Sequence, residues 1–558
     1  MIFVYAKKDE TKQGPRANTK LHLALRRLPN LLILLLLVVA CEQTESHDGP
    51  SRSEATDSSK AMATPRPRRI ILISLDTVGS RHVGGYSDAS TPNLDKVAAD
   101  GVRFDRFYAA STYTLPSHMS MLTGLTPIEH GVVNIPARLA PEVPTLASKL
   151  RTAGYETKAL HEGGFLGKIY GFDQGFEKYE LRNNKDVVGV SIWSTLDWMR
   201  NKQDAPYFLF LHTYVAHVPY RGFSDFRRSH AELDLPDDAE IEKLKAQYNK
   251  TDHESFFPAS REIPAEIRHM CTFYNTLASS TVDFLGCGDR LLKDDFLESP
   301  HFETYREGLV EAHRAEIRRG DRMVGQVRDL LIELGQWEDT LLVVTSDHGD
   351  AMFEHSTHGH DYSPFDEVLK VPLFLSYPRR VAGGQIVRGL TWHLDLFPTI
   401  LALAGVPTSS DLQGEDLTSV IANGKEISAD RAIHPVLLRP TNRYPLPMRR
   451  IVLQGEYKFI EGHGVYGDPE GLLFNLADSP DEDVNLRQSQ PQVFANLRAL
   501  SQRFDEGLTP GEPIHQSTQE QISPFPGEVE PYDAPEEIRR GLEALGYLFD
   551  RDTTPAEP

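Results

Sequence analysis

Three short runs constrain the fold of this 558-residue chain more than any other feature: RRIILISLDT (68–77), YFLFLHTYVAH (207–217) and TLLVVTSDHG (340–349). Each is rich in aliphatic, aromatic or β-branched residues with almost no polar alternation. Such strands must be covered on both faces, as in a buried parallel sheet. Helical patterns separate them. TPNLDKVAADG (91–101) predicts a helix with Thr91 as N-cap, Pro92 in the first position and Gly101 as the stop. TLASKLRTAG and LDLFPTILALAG predict further helices, and TYREGLVEAHRAEIRRGDRMVGQVRDLLIELG predicts one long helix or a pair. YETKALH and VPLFLSYP add strands. This alternation predicts an α/β fold with a doubly wound, mostly parallel central sheet flanked by helices.

The pattern changes after about residue 430. IVLQGEYKFIE and GLLFNL predict a smaller antiparallel C-terminal subdomain over 431–508, so the main domain spans 68–430. Residues 509–558, rich in Pro, Glu and Asp, predict a tail ending in one helix, PEEIRRGLEALGYL. Residues 221–300 are polar and irregular and carry no element pattern, and no internal repeat is present.

The first 67 residues read as an address. Lys7, Lys8, Lys12, Arg16, Lys20, Arg26 and Arg27 precede LLILLLLVVA (31–40), and Cys41 follows directly. Ten apolar residues are too few to span a bilayer, and a basic flank with a small residue before the break is a signal-peptide pattern. VVAC resembles the lipobox of bacterial lipoproteins. Residues 1–41 are therefore predicted to be a signal peptide, with Cys41 lipidated in an exported, membrane-anchored protein at a bacterial periplasmic or extracellular face. Residues 42–67, dominated by Ser, Thr, Pro and charge, predict a disordered tether. Cys271 and Cys287 are the other cysteines; export would permit, without requiring, a disulfide between them. The net charge of −21 argues against broad nucleic-acid binding. No protein partner is evident in the sequence.

In open α/β sheets ligands bind beyond the carboxyl ends of the strands. Asp76 ends the first run and Asp347 the third, followed by His348 and Gly349, where the backbone can turn away. Two carboxylates and an imidazole make a site suited to Ca²⁺, Mg²⁺, Mn²⁺ or Zn²⁺. TYTLPSHMSMLTG (112–124) carries Pro116, so a helix is expected to begin there with Thr114 beside its N-terminus. Free N–H groups and the dipole favour an anion at that end, and a hydroxyl beside a metal becomes a usable nucleophile. Read alone, Thr114 is better taken as a helix cap, since Thr before Pro is common at helix starts.

The motifs together resemble the sulfatase family of the alkaline phosphatase superfamily. LISLDTVGSRHVGGYSDASTPNLDKVAADGVRF, LTGLTPIEHGV, TLLVVTSDHGDAMFEH, LKVPLFLSYP, LTWHLDLFPTILALAGVP and GLLFNLADSPDEDVNL carry the likeness in order, over roughly 68–490. The resemblance implies hydrolysis of a sulfate or phosphate ester with one divalent metal, calcium first, with manganese or zinc as alternatives. It implies Asp76, Asp347 and His348 as metal ligands, with Thr77 in the ligand position beside Asp76. Thr114 takes the place of the nucleophile, which also touches the metal. His217 matches a residue that contacts the ester or protonates its leaving group, and His360 stands where many members have a substrate-binding Lys. His161 lies near a basic position of the family but matches it poorly, and His355 and His358 read as loop residues.

The same segment departs from the family. Sulfatases carry Cys-x-Pro-x-Arg or Ser-x-Pro-x-Arg, whose first residue is oxidised to formylglycine. Here Thr114 cannot be so converted, His118 replaces the Arg as a candidate catalytic residue, and the family's Asp-Asp pair is Asp76-Thr77. A threonine ester has no second hydroxyl to expel sulfate, so water or another acceptor must clear it. Thr nucleophiles also occur in two-zinc phosphodiesterase relatives, yet the matching stretch here, Thr213–His217, lacks their extra carboxylate. One metal is favoured over two. The open alternatives are a phosphodiesterase, a phosphoglycerol- or phosphoethanolamine-type transferase, and a non-catalytic binding protein that keeps the fold.

Overall fold

The strand β1 (Arg69–Leu75) forms the centre of an eight-stranded sheet in the computed structural model. The structure describes residues 66–515 except 134–136, 182–190, 203–204, 219, 221–301, 357, 361–362, 439–448, 463–469 and 512–513. The expected signal segment, tether, polar stretch, terminal helix and all three cysteines therefore lie outside the described residues. Of the tether, only Arg66 and Pro67 are described.

The other strands of the sheet are β2 (Val102–Phe104), β3 (Glu156–His161), β4 (Lys178–Leu181), β5 (Tyr207–Thr213), β6 (Thr340–Thr345), β7 (Leu373–Ser376) and β8 (Gln385–Val387), in the order β8-β2-β7-β6-β1-β5-β3-β4. All pairings are parallel except those of β7, which runs antiparallel to both neighbours. The apolar runs alternate between two cores. Ile70, Leu72, Phe208, Phe210, Leu341 and Val343 face one layer, with Leu115 and Met119 of α2 (Thr114–Thr123), Leu150 of α3 (Leu146–Thr152) and Ile400 of α6 (Leu396–Leu403). Ile71, Ile73, Leu209, Leu211, Leu342 and Val344 face the other, with Val97 of α1 (Pro92–Ala99), Leu196 of α4 (Ser191–Arg200) and Val324 of α5 (Phe302–Glu333). Covering both faces is what permits the unbroken apolar runs. The expected fold class is the observed one.

Several local expectations are refined. The long amphipathic segment is one helix of 32 residues, α5, not a pair. Thr91 sits at the start of α1 but makes no capping bond; its hydroxyl accepts from Gly84 N at 2.9 Å. Asp321 of α5 takes over, its Oδ1 accepting from Asn93 N at 3.0 Å and Leu94 N at 2.8 Å. Helix α2 begins at Thr114, two residues before the expected start at Pro116. A third-position Pro is tolerated because the first four N–H groups of a helix have no partner within it.

An antiparallel sheet follows, including β9 (Arg449–Gln454), β10 (Tyr457–Glu461) and β11 (Gly471–Asn475). It is pinned to the main domain by a buried ion cluster. Lys458 of β10, fully buried, reaches Asp366 Oδ1 at 2.9 Å and Glu482 Oε1 at 2.8 Å, while Asp366 N donates to Glu482 Oε2 at 2.6 Å. Burial, opposed by the Lys458 charge, pushes Glu482 up to about 7. Removing the cation strands two buried carboxylates. Lys458→Met is expected to cost about 3–5 kcal/mol in denaturant unfolding, and a cost below 1 kcal/mol would show that the cluster does not hold the sheets together.

Candidate active site

The register of the central strands places the chemistry. Ser74 lies opposite both His212 and Thr345, so β1, β5 and β6 deliver Asp76, His212 and Asp347 to one carboxyl edge. The loops after β1 and β6 then meet. Gly79 and Gly349 pass under the Glu367 carbonyl, where a Cβ on Gly349 would run into that oxygen and one on Gly79 would lie 2.9 Å from it. Gly349 is thus required for close approach; it is not among the positive-φ glycines, so the turn expected there is not its reason.

Helix α2 enters the same edge. Ser117 donates to Asp347 O at 2.6 Å, tying the helix to the loop after β6. Thr114, 1% exposed, is its first residue, and its Oγ1 lies 3.1 Å from His348 Nε2 and 3.5 Å from Asp76 Oδ2. The helix N-terminus therefore adds its partial positive charge at the hydroxyl.

Asp76, Asp347 and His348 each place a ligand atom within 4.8 Å of the others, and all three are fully buried. His348 donates Nδ1–H to Gly349 O at 2.9 Å, which leaves the Nε2 lone pair toward Thr114. Burial holds the ring neutral, down at about 4. Asp347 Oδ1 accepts from Thr77 N at 3.3 Å and His348 N at 2.9 Å. Asp76 Oδ2 faces His212 Nε2 at 3.1 Å. Burial and the Asp347 charge raise Asp76 well above the carboxylate range, whereas the imidazoles of His348, His118 and His212 outweigh burial at Asp347 and lower it. Asp76 Oδ1 and Asp347 Oδ2 are buried without hydrogen-bond partners. Two orphaned carboxylate oxygens and an oriented imidazole lone pair fit a divalent cation, whose ligand sphere of about 2.0–2.6 Å radius spans such a spacing.

Thr77 borders this cluster by its backbone. It holds φ +58°, unusual for a β-branched residue. Its hydroxyl donates to Asp76 O at 2.8 Å and its carbonyl accepts from His313 Nε2 at 3.1 Å. His118 is held at both nitrogens: Nδ1–H donates to Thr114 O at 3.0 Å, and Ser74 Oγ lies 2.9 Å from Nε2. His360 stacks on His348 with ring centroids 4.3 Å apart, and His217 meets His360 edge-on at 5.5 Å. His217 donates Nδ1–H to Val218 O at 2.6 Å and, through burial and then the His360 charge, titrates at about 4. His161 is remote in role: its Nδ1 accepts from Gly163 N at 3.2 Å and its ring packs on Tyr179. His355 buttresses a loop, its Nδ1 3.1 Å from Glu367 and its ring on Phe365 at 3.6 Å. The side chain of His358 is outside the described residues.

Sequence reasoning missed His212 and Asp350. His212 was visible at a strand end, but only the register shows it against Asp76. Asp350 follows the Asp-His-Gly stretch and gives no periodic signal; it bonds Tyr220 and His360.

The mostly parallel α/β sheet thus brings a hydroxyl, two carboxylates and an imidazole together at its carboxyl edge. A model of the sulfatase family matches residues 68–406, and one described as N-sulphoglucosamine sulphohydrolase, C-terminal, matches 355–506. The chain belongs to the sulfatase family and is by class a sulfuric ester hydrolase. It is similar to an N-acetylglucosamine-6-O-sulfatase of Bacteroides thetaiotaomicron, 22% identical over 71% of this chain and 76% of that one. Human arylsulfatase A is 25% identical, covering 81% and 90%. Among solved structures, a protein bound to its substrate D-glucosamine-2-N,6-O-disulfate gives a TM-score of 0.60 at 20% identity, covering 79% of this chain and 98% of the other. The phosphonate monoester hydrolase of Agrobacterium radiobacter gives 0.56 at 20%, covering 79% and 96%. Family members generally bind a divalent metal, and the Asp76–Asp347–His348 cluster could hold one. No helix among the described residues is long and apolar enough to cross a membrane.

Proposed function

We propose that the chain hydrolyses a sulfate ester with Thr114 as nucleophile and one divalent cation held by Asp76, Asp347 and His348. The observation that carries this reading is Thr114 Oγ1, 3.1 Å from His348 Nε2 at the first turn of α2. The cation, when bound, supplies positive charge that stabilises an ionised hydroxyl and the charge growing on the ester oxygens. Thr114 Oγ forms a bond to sulfur as the bond to the departing alcohol breaks. An ester anion entering beside His217 favours its imidazolium, which returns a proton to the alcohol oxygen. His360 packs between these rings, edge-on to His217 and stacked on His348. His118 is a positioning residue, since Ser74 and Thr114 O occupy its nitrogens and fix the turn that presents the hydroxyl. Thr77 contributes its backbone N–H to Asp347.

A phosphate ester is the second reading, and Thr114 itself favours it: threonine cannot become formylglycine, and its ester must be cleared by attack on the central atom. Residues 42–558 would be assayed on an aryl sulfate, a phosphate monoester, a phosphodiester and a phosphonate ester, each with Ca²⁺, Mn²⁺ and Zn²⁺. Sulfate turnover above the others supports the first reading; turnover confined to phosphorus esters supports the second; no turnover with no bound metal returns the chain to a binding role. Export and lipidation at Cys41 complete the proposal, and membrane release by Cys41→Ser would test them.

A further inference from the structure

A second concentration of charge lies away from Thr114. A cleft of about 820 Å³ opens where β2, β7 and β8 approach α5, and neither Thr114 nor Asp76, Asp347 or His348 lines it. Seven lining residues are Lys or Arg and five are Asp or Glu, on a chain whose net charge is −21. Three of the acids are matched within the cleft: Asp105 with Arg103 at 2.8 Å, Glu354 with Arg81 at 3.0 Å and Glu456 with Arg106 at 2.9 Å. Asp366 is matched from beneath by Lys458. Among the described residues, that leaves Asp481 as the remaining lining acid against Arg306, Arg314, Lys370 and Arg388. Arg306 and Arg314 pair with Glu303 and Asp88, carboxylates that are mostly exposed and do not line the cleft, and such surface pairs are weak. Lys370, just before β7, and Arg388, just after β8, make no ion pair or side-chain hydrogen bond among the described residues. The cleft also holds buried donors with nothing to donate to. His82 lines it at 4% exposure, and neither ring nitrogen has a hydrogen-bond partner; Arg314 Nε is buried and unpartnered as well. Buried polar atoms in native proteins are paired in the great majority of cases, so unpaired donors beside surplus cations point to a ligand. The donors are held in place: His82 sits edge-on to His313 at 5.1 Å, and the Arg103 guanidinium lies over the Tyr86 ring at 5.2 Å.

We propose that this cleft binds a polyanion, a ligand carrying two or more sulfate, phosphate or carboxylate groups, at a site separate from the metal cluster. Guanidinium forks match oxyanions in bidentate geometry, and Lys370 adds a point charge. The cations come from separate segments of the chain around a volume typical of small-molecule sites, so more than one oxyanion is needed to engage them. His82 and Arg314 Nε supply the short-range donors that distinguish a built site from a diffuse basic surface. The exposed partners of Arg306 and Arg314 give way to a ligand at little cost. The proposal does not depend on Thr114 being a nucleophile, since the cleft and the metal cluster share no residue.

The test is calorimetric binding of low-mass dextran sulfate and of inorganic sulfate to the full chain. Dextran sulfate is expected to bind at least about tenfold more tightly than inorganic sulfate, because its groups engage the cleft together. Lys370→Gln combined with Arg388→Gln is expected to weaken dextran sulfate at least about tenfold. His82→Phe keeps the ring against His313 and removes both nitrogens; it and Arg314→Gln are each expected to weaken binding severalfold. Arg388 is exposed, so Arg388→Gln alone carries the test if Lys370→Gln lowers the melting midpoint. Arg151→Gln combined with Lys178→Gln removes two charges from a different cleft and is expected to change nothing. Asp347→Asn is likewise expected to leave dextran sulfate binding intact. Undiminished binding in the Lys370 and Arg388 variants, an equal loss in the Arg151 and Lys178 variant, or dextran sulfate binding no tighter than inorganic sulfate overturns the proposal. So does a loss confined to Asp347→Asn, which would place the anion at the metal cluster. Failure of the nucleophile reading looks different: Thr114→Ala then keeps its activity, with dextran sulfate binding unchanged.

Discussion

Thr114→Ala yields a folded protein that has lost turnover by at least about 10³-fold. The expected size follows from what the hydroxyl alone supplies. Among the described residues, Thr114 is the hydroxyl at the first turn of α2 that lies against both His348 and Asp76. Ser117, one turn along, donates to Asp347 O and is held there. Folding is spared because Thr114 makes no capping bond; the N-cap is Tyr113, and α2 is anchored through Leu115, Met119 and Ser117. The melting midpoint is therefore expected to move by only a few degrees. Thr114→Ser keeps the oxygen and is expected to retain measurable rate. Full activity in Thr114→Ala, on the ester that wild type cleaves, would dismiss Thr114 as nucleophile.

Asp347→Asn is expected to lower divalent-metal affinity by more than 10²-fold, since losing even an outer partner of a metal ligand costs about 10–100-fold. The amide keeps the shape and one oxygen to accept from Thr77 N and His348 N. What it removes is the charge on Asp347, which the imidazoles of His348, His118 and His212 hold ionised against burial. Wild-type protein should therefore melt higher with added cation, by about 2.7 kcal/mol of linkage at a hundredfold excess over Kd. The variant should show no such rise at the same concentration and no stoichiometric metal after gel filtration. A variant that binds metal and turns over as wild type does would remove Asp347 from the ligand set.

Much of this was readable along the chain because burial on both faces leaves a one-dimensional trace. The runs ending in Asp76 and Asp347 announced buried parallel strands, and parallel strands send their carboxyl ends to one edge. The motif order carried the family, and with it Thr114, His348, His217 and His360 as residues to look for. The helix in TLASKLRTAG was legible for a local reason: Thr145 closes a capping box with Ser148. Local rules misled where a distant segment supplied a better partner. Thr91 gave its capping role to Asp321, which is 230 residues away along the chain.

The sequence by itself determined the α/β class, the edge on which the chemistry sits, and the absence of a residue that could become formylglycine at position 114. These follow from hydrophobic pattern and side-chain chemistry, which are properties of short segments. Only the tertiary structure decided that His348 turns Nε2 toward Thr114, that His212 faces Asp76, that His118 is held on both sides, and that Tyr220, Asp350 and His360 form one hydrogen-bonded chain. Those depend on hydrogen bonds between β1, β5, β6 and their loops, whose partners lie tens to hundreds of residues apart. No local pattern encodes such distances; the sheet register does.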